Sequence, residues 1–196
     1  MSLALTLLVG YLIGSIPTAN AIAGLFGIDL RSEGSGNPGA NNARRLGGPG
    51  LSIAILAVEA AKGATAVLAG GALAGSPGMV AAGLGAATGN VFSVWYRFQG
   101  GKGLGITLGV LLMAWPLALP PVIVTLAAVA LITRSTGLAS IGAIVMLLVL
   151  GLLWFPMAWT NGWGADSTSL PWMAIGLAGV LAPKHIIDAL RPQTRG

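Results

Sequence analysis

Of the 196 residues 55% are hydrophobic and 8% charged, with a mean hydropathy of +0.86, which leaves too few polar groups to cover a soluble globule. Zero cysteines exclude disulfides, a thiolate nucleophile and Cys-based metal sites, and one histidine with five acidic residues leaves little for a metal centre. The net charge of +5 fits membrane orientation and anionic lipid or substrate, and makes no case for nucleic acid.

In chain order, apolar runs cover 3–28, 51–75, 79–95, 104–132, 138–159 and 170–182. Most suit a hydrocarbon core of about 30 Å, and a lipid-embedded segment has to satisfy its own backbone, so the runs read as helices. The first lacks a basic leader and a small-residue cleavage site, and is expected to remain as a span. Pro116, Pro120 and Pro121 interrupt the run between Lys102 and Arg134. Each half would hold roughly 14 residues and reach about 21 Å, short for a span.

Loop charge favours the split. With two spans there, nine of the ten basic residues share one side (Arg31, Arg44, Arg45, Arg97, Lys102, Arg134, Lys184, Arg191 and Arg195), and Lys62 lies within a span. With one span, Arg134 and the basic C-terminus change sides. The positive-inside rule therefore predicts an all-α polytopic membrane protein of seven transmembrane helices, N-terminus outside and C-terminus cytoplasmic. The whole of 1–196 forms one integral membrane domain in this reading. The outer loops near Ser76, Pro120 and Asp166 carry no basic residue.

Between the first two runs, residues 31–50 read RSEGSGNPGANNARRLGGPG, with six glycines, three asparagines and three arginines. Glycine lets successive main-chain N–H groups converge on one acceptor, and guanidinium groups add fixed charge and paired donors. A phosphate is the natural guest. A loop that only orients the protein would need the arginines alone, leaving Asn37, Asn41, Asn42 and the Gly34-Ser35-Gly36 run unexplained. A second polar segment, 97–103, reads RFQGGKG and sets Lys102 among glycines at the start of a helix, where N–H groups and a point charge can meet an anion. It is not a Walker A motif, whose glycine spacing is longer and whose lysine precedes Ser or Thr. A third segment, 134–140, falls on the same side, and the three are expected to share one cleft.

Other residues have plainer readings. Glu59 and Lys62, three apart, are expected to pair inside the bundle. Asp29 and Glu33 hold the loop arginines, and Gly63, Gly70, Gly71, Gly83, Gly85 and Gly89 are packing surfaces. Trp95, Trp154, Trp159, Trp163 and Trp172 read as interfacial residues. His185, flanked by Lys184 and Asp188, fits either a site or the interface.

GSGNPGANNARRLGG, preceded by GSIP at 14–17 and by Asp29-Leu30-Arg31, together with FQGGKG, resembles the bacterial acyl-phosphate:glycerol-3-phosphate acyltransferases, the PlsY family. The similarity extends over essentially the whole chain. It implies a seven-span inner-membrane enzyme of phospholipid biosynthesis, its active site facing the cytoplasm. Such an enzyme moves a fatty acyl group from acyl phosphate to position 1 of sn-glycerol 3-phosphate, giving lysophosphatidic acid with no cofactor and no metal. Its expected partners are those two substrates and membrane lipid, and a monomer is expected. Matched position by position, the resemblance assigns Ser35, Arg45 and Lys102 to catalysis. It assigns Gly36, Asn37, Asn42, Gly101, Gly103, Ser140 and His185 to substrate binding.

The chain departs from that family at several places. Asn41 stands for a usual threonine, and Gly89-Asn90-Val91-Phe92-Ser93 for a Gly-His-x-x-Pro pattern. Lys102-Gly103-Leu104-Gly105-Ile106 replaces Lys-Gly-Val-Ala-Thr. Near the C-terminus, where the family has His-x-x-Asn-Ile followed by an arginine and a glutamate, the sequence reads Ala182-Pro183-Lys184-His185-Ile186. His185 thus takes the asparagine's place. Two other readings stay open at this point: a silent or substrate-altered family member, and a transporter of a phosphorylated solute, although no inverted repeat is evident.

Overall fold

Proline and glycine decide where the helices stop. The structure, a computed structural model, describes residues 2–157, 159–161 and 163–190. Arg191 and Arg195, counted above among the basic residues, lie outside them. Seven helices follow in order: α1 (Leu3–Ser15), α2 (Thr18–Gly24), α3 (Ala40–Val91), α4 (Leu104–Ala114), α5 (Leu119–Thr133), α6 (Thr136–Met157) and α7 (Leu170–Leu190). The first apolar run is cut at Pro17, which has no N–H to donate, so α1 and α2 are separate pieces.

The glycine-rich stretch 31–50 is not all loop. Gly39 is extended and α3 begins at Ala40, so Asn41, Asn42, Arg44 and Arg45 ride on helical turns. Between Gly39 and Gly47 the sequence ANNARRL has no helix breaker, and that local propensity was obscured by its flanking glycines. Gly48, at φ 81° and ψ −176°, interrupts α3, and Ala74 with Gly75 (φ 61°) reverses it. Pro49 and Pro77 each sit just beyond such a break, where a missing N–H costs least. In a straight helix Gly70 and Gly78 would lie about 12 Å apart. Here a Cβ on Gly70 would stand 2.2 Å from the Gly78 carbonyl oxygen, so the two arms of α3 form a hairpin.

The expected break in the fourth run is present as well. Helix α4 ends at Ala114, a 3₁₀ turn occupies Pro116–Ala118, and α5 takes Pro120 and Pro121 into its first turn. Contacts sort the chain into two ends. At one, Asn161 Nδ2 donates to the Ala114 carbonyl at 2.8 Å, and the Asp166 N–H donates to Ser76 Oγ. At the other, the Gly137 position lies 3.8 Å from Ala189, and Lys102 pairs with Asp188.

Small residues let the helices touch backbone to backbone. A Cβ at Gly63 would lie 2.1 Å from the Ile106 carbonyl oxygen, and one at Gly109 would lie 1.7 Å from that of Ala60. Gly85 and Gly89 back in the same way onto Leu7 and Tyr11 of α1, whereas Gly71 and Gly83 meet the side chains of Met79 and Val110. The largest core gathers Val67, Val110, Leu111, Trp115, Met173 and Leu177 between α3, α4 and α7. Facing outward, Leu25, Leu131 and Ile132 are more than 80% exposed, as a lipid-facing surface requires. Among the described residues five helical stretches are long and apolar enough to cross a membrane, and α4 is shorter.

The charges expected to pair inside the bundle do so. Lys62 Nζ lies 3.1 Å from both oxygens of Glu59, and it also donates to the Ile16 carbonyl at 2.7 Å. The Thr18 hydroxyl donates to Glu59 Oε1 at 2.5 Å and Asn90 Nδ2 to Oε2 at 2.6 Å. Breaking a buried pair by removing one partner costs about 3–5 kcal/mol, whereas removing both leaves no orphaned charge. Lys62→Met should therefore lower the unfolding midpoint in detergent markedly, and adding Glu59→Gln should restore part of the loss. A single variant as stable as the parent would mean that this network does not hold the fold.

Candidate active site

The second polar segment folds into a tight turn because its glycines allow contacts that no side chain could. After α3, a 3₁₀ turn at Val94–Tyr96 leads into Arg97 and Phe98, both left-handed at φ 50° and 63°. The chain then returns to α3. The Gly100 N–H donates to the Val91 carbonyl at 3.0 Å, and the Gly101 N–H to that of Asn90 at 2.9 Å. A Cβ at Gly100 would lie 2.1 Å from the Asn90 oxygen, and Gly103 needs φ 83° to open α4. Those two N–H groups, which the sequence reading offered to an anion, are thus already used. Among the described residues no hydrogen bond takes the N–H of Lys102 or Gly103, and the first turn of α4 leaves further N–H groups free by helix geometry.

Helix α7 grips this turn along one face. Lys184 Nζ donates to the carbonyls of Val91, Gly100 and Gly101 at 2.7, 2.8 and 3.1 Å, and sits 5.6 Å over the Phe92 ring. His185, 2% exposed, directs Nε2 at the Lys102 carbonyl at 3.2 Å, a contact in which the imidazole donates. One turn on, Asp188 pairs with the Lys102 ammonium. The sequence marks Lys184 as one of the basic residues on one side and Asp188 as a neighbour of His185, and nothing local in it records that they meet a turn more than eighty residues earlier.

The first segment is ordered from inside by Asn42, 1% exposed. Its Nδ2 donates to the Leu30 and Glu33 carbonyls at 2.9 and 3.0 Å, and its Oδ1 accepts from the Ser35 N–H at 2.9 Å. The amide of Asn42 is therefore committed to shaping the loop. Asp29, rather than holding an arginine side chain, accepts the Arg31 N–H and the Ser32 hydroxyl, and these hydrogen bonds keep its carboxyl below the usual range. Glu33 likewise accepts the Asp29 N–H at 2.8 Å. Arg31 is free to cross to the other segment. Its Nη1 donates to the Gln99 carbonyl at 2.9 Å, with the guanidinium 4.1 Å from the centre of the Tyr96 ring.

Ser35 and Gly36 are exposed on this loop, Asn37 is half-buried beside Gly39, and Arg45 is exposed on α3. The loop comes against the turn at Pro38, whose carbonyl is 3.5 Å from a Cβ position on Gly101. A small cleft opens there, lined among others by Thr18, Asn20, Pro38, Glu59, Asn90 and Gly101. Glu59 and Asn90 thus connect the buried ion pair to the cleft wall. Ser140 is not brought in by any polar contact: it is buried in α6 and its hydroxyl donates to the Thr136 carbonyl of its own helix at 2.8 Å.

A family model described as glycerol-3-phosphate acyltransferase matches residues 4–191. The chain belongs to that family. A glycerol-3-phosphate acyltransferase of Desulforudis audaxviator is 47% identical over 144 residues, 71% of this chain and 72% of the relative. One of Synechococcus sp. (strain JA-2-3B'a(2-13)) is 41% identical over 177 residues, 89% and 82% of the two chains. Two crystal structures of PlsY, an integral membrane glycerol 3-phosphate acyltransferase, superpose with TM-scores of 0.78 and 0.79 at 27% and 26% identity. One is the glycerol 3-phosphate form and the other the lysophosphatidic acid form, and each match covers 96% of this chain and 90% of that one. The all-helical membrane architecture and the acyltransferase assignment follow.

The grip of Lys184 generates a measurable expectation. Hydrogen bonds to a charged group contribute about 1.5–3 kcal/mol, so Lys184→Met should lower stability by about that amount and reduce acyl transfer with it. Thermal unfolding and turnover of the same preparation would check this. Full stability in the variant would show that the turn holds itself.

Proposed function

We propose that this acyltransferase moves a fatty acyl group from acyl phosphate to the position-1 hydroxyl of sn-glycerol 3-phosphate, at the cytoplasmic end of a seven-pass bundle in the inner membrane. The observation that supports the reading is the Gly100–Gly103 turn, which presents Lys102 and N–H groups without a partner among the described residues at the start of α4, and whose Gly101 lines one cleft together with Pro38 of the first loop. An acyl phosphate is already an activated mixed anhydride, so no covalent nucleophile is needed. The acceptor hydroxyl oxygen bonds to the acyl carbon, the bond from that carbon to the phosphate oxygen breaks, and inorganic phosphate leaves. The hydroxyl proton can pass to a phosphate, whose second pKa is about 6.

The protein's task is to hold two phosphates together against their repulsion. Lys102 and Arg45 supply fixed positive charge, and the N–H groups of Lys102, Gly103 and the first turn of α4 supply donors that stabilise charge on the leaving phosphate and carbonyl oxygen. On the facing loop the N–H groups of Ser35 and Gly36 are spent on Asn42 and Glu33, which leaves the exposed Ser35 hydroxyl. Gly101 lines the cleft, and Asn37 stands beside Gly39 next to Pro38 on the facing loop. Asn42 and His185 act through the main chain that they hold. The back-bonded hydroxyl of Ser140 argues for leaving it out of the phosphate-binding set. Every one of these groups comes from one chain, so a monomer suffices, with membrane lipid as its solvent.

The α3 hairpin and the break at Pro116 support seven crossings, since each turns one long apolar stretch into two passes. Orientation is supported by charge: no basic residue lies in the loops near Ser76, Pro120 and Asp166. Hydrogen bonds from the Thr168 hydroxyl and from Ser76 hold the Asp166 carboxyl down to about 2, keeping that end acidic. A cysteine at Ser135, beside the last turn of α7, should react with a membrane-impermeant thiol reagent only from the cytoplasmic side. Reaction from outside would restore a single span over 104–132.

Lys102→Ala and Arg45→Ala should each reduce acyl transfer by about 10²-fold or more, with unfolding midpoints near the parent's because both side chains reach solvent. An assay with acyl phosphate and labelled glycerol 3-phosphate decides it. Near-normal turnover of Lys102→Ala would remove the phosphate role from the turn.

A further inference from the structure

Asp188 is an unusual carboxylate. It sits in the last turn of α7, at the negative end of the helix dipole, where an anion weakens the helix. Lys184, four residues earlier, would be its ordinary partner on the helix surface, but that ammonium is spent on the carbonyls of Val91, Gly100 and Gly101. Asp188 reaches across to Lys102 instead. Helix stability does not account for that placement. The pair is also open to water, its side chains 29% and 41% exposed, against 8% for both members of the Glu59–Lys62 pair. Exposed pairs shift an equilibrium by no more than about five-fold, so this one is easily exchanged, whereas the buried one is not.

We propose that Asp188 is a resident counter-ion of Lys102 that the substrate's phosphate displaces, and that this exchange sets the anion concentration at which Lys102 becomes occupied. The inference rests on the phosphate role given to Lys102 above. A singly charged anion taking Asp188's place gains no charge over the carboxylate that it removes. A phosphate dianion gains a second charge and further acceptor oxygens, which can take the unpaired N–H groups at the start of α4. Asp188 thus raises the threshold for every anion by the same factor, and the dianion, which gains most at the site, is the anion that still fills it. The released carboxylate is carried outward on an exposed helix end, so the exchange leaves no buried orphan.

The test uses the purified full chain in detergent at pH 8, where inorganic phosphate is mostly dianionic, and follows the unfolding midpoint as phosphate or acetate is added. The parent should be stabilised by phosphate at far lower concentration than by acetate. In Asp188→Asn the half-saturating phosphate concentration should fall about two- to five-fold, and that of acetate should fall by about the same factor, because one ion pair is broken in either case. Asp188→Glu should keep both concentrations near the parent's. A lowered KM for glycerol 3-phosphate in Asp188→Asn would be the matching kinetic sign. If Asp188→Asn binds phosphate more weakly, or leaves both concentrations unchanged, Asp188 is a fixed strut and the proposal fails. If Lys102→Ala still responds to phosphate as the parent does, the fault lies in the phosphate role of Lys102 itself.

Discussion

The structure depends on one constraint: a lysine and a glutamate have been placed inside a bundle whose surroundings cannot solvate them. Lys62 and Glu59 can remain charged there only if every donor and acceptor finds a partner, and the partners come from three places in the chain. The Ile16 carbonyl and the Thr18 hydroxyl are available because Pro17 breaks the first helix, and Asn90 comes from the far arm of the α3 hairpin. The pair therefore ties the break in the first span, both arms of α3 and the wall of the cleft into one polar knot. Glycine contacts such as Gly63 on Ile106 bring the backbones close enough for that knot to close.

From the knot outward, rigidity passes to the reactive turn by main-chain hydrogen bonds. Asn90 gives its side chain to Glu59 and its carbonyl to the Gly101 N–H, so one residue links the buried charges to the Lys102 turn. Helix α7 closes the other side through Lys184 and His185. The first loop is held by Asn42 below and Arg31 above. Most polar side chains near the cleft thus shape backbone, and few are left pointing at a ligand. That economy suits the proposed reaction, whose acyl phosphate donor is already activated, so that orientation and fixed charge supply most of what a catalyst must add.

Much of this was legible in the sequence. The apolar runs, the split at Pro116, the pairing of Glu59 with Lys62 and the three polar segments on one side depend on local pattern, and local pattern is what a sequence displays. What was not legible depends on contacts between distant residues. The helical start of α3 at Ala40 was hidden because glycines on either side suggested an unbroken loop. That the N–H groups of Gly100 and Gly101 face α3, leaving their carbonyls to Lys184, is a matter of peptide orientation that composition does not encode. Ser140 rests on positional resemblance and on its place in the third polar segment, and its hydroxyl is turned back onto its own helix.

The shortness of α4 bears on how the Lys102 turn is held. Its 11 residues reach about 16 Å, roughly half of an ordinary hydrocarbon core. The gap at its far end is occupied by the segment around Asn161 and Ala165, whose hydrogen bonds cap the Ala114 carbonyl. Irregular backbone at that depth is tolerated only against protein, so one sector of the bundle is closed by a plug rather than by a full-length helix. Most of α4 is covered by protein, with Ile106, Val110, Leu111 and Ala114 buried, and its far end is bonded to the plug while its near end is bonded to α7. The turn that carries Lys102 therefore stands on a strut clamped at both ends, which keeps the ammonium in place with no long helix of its own.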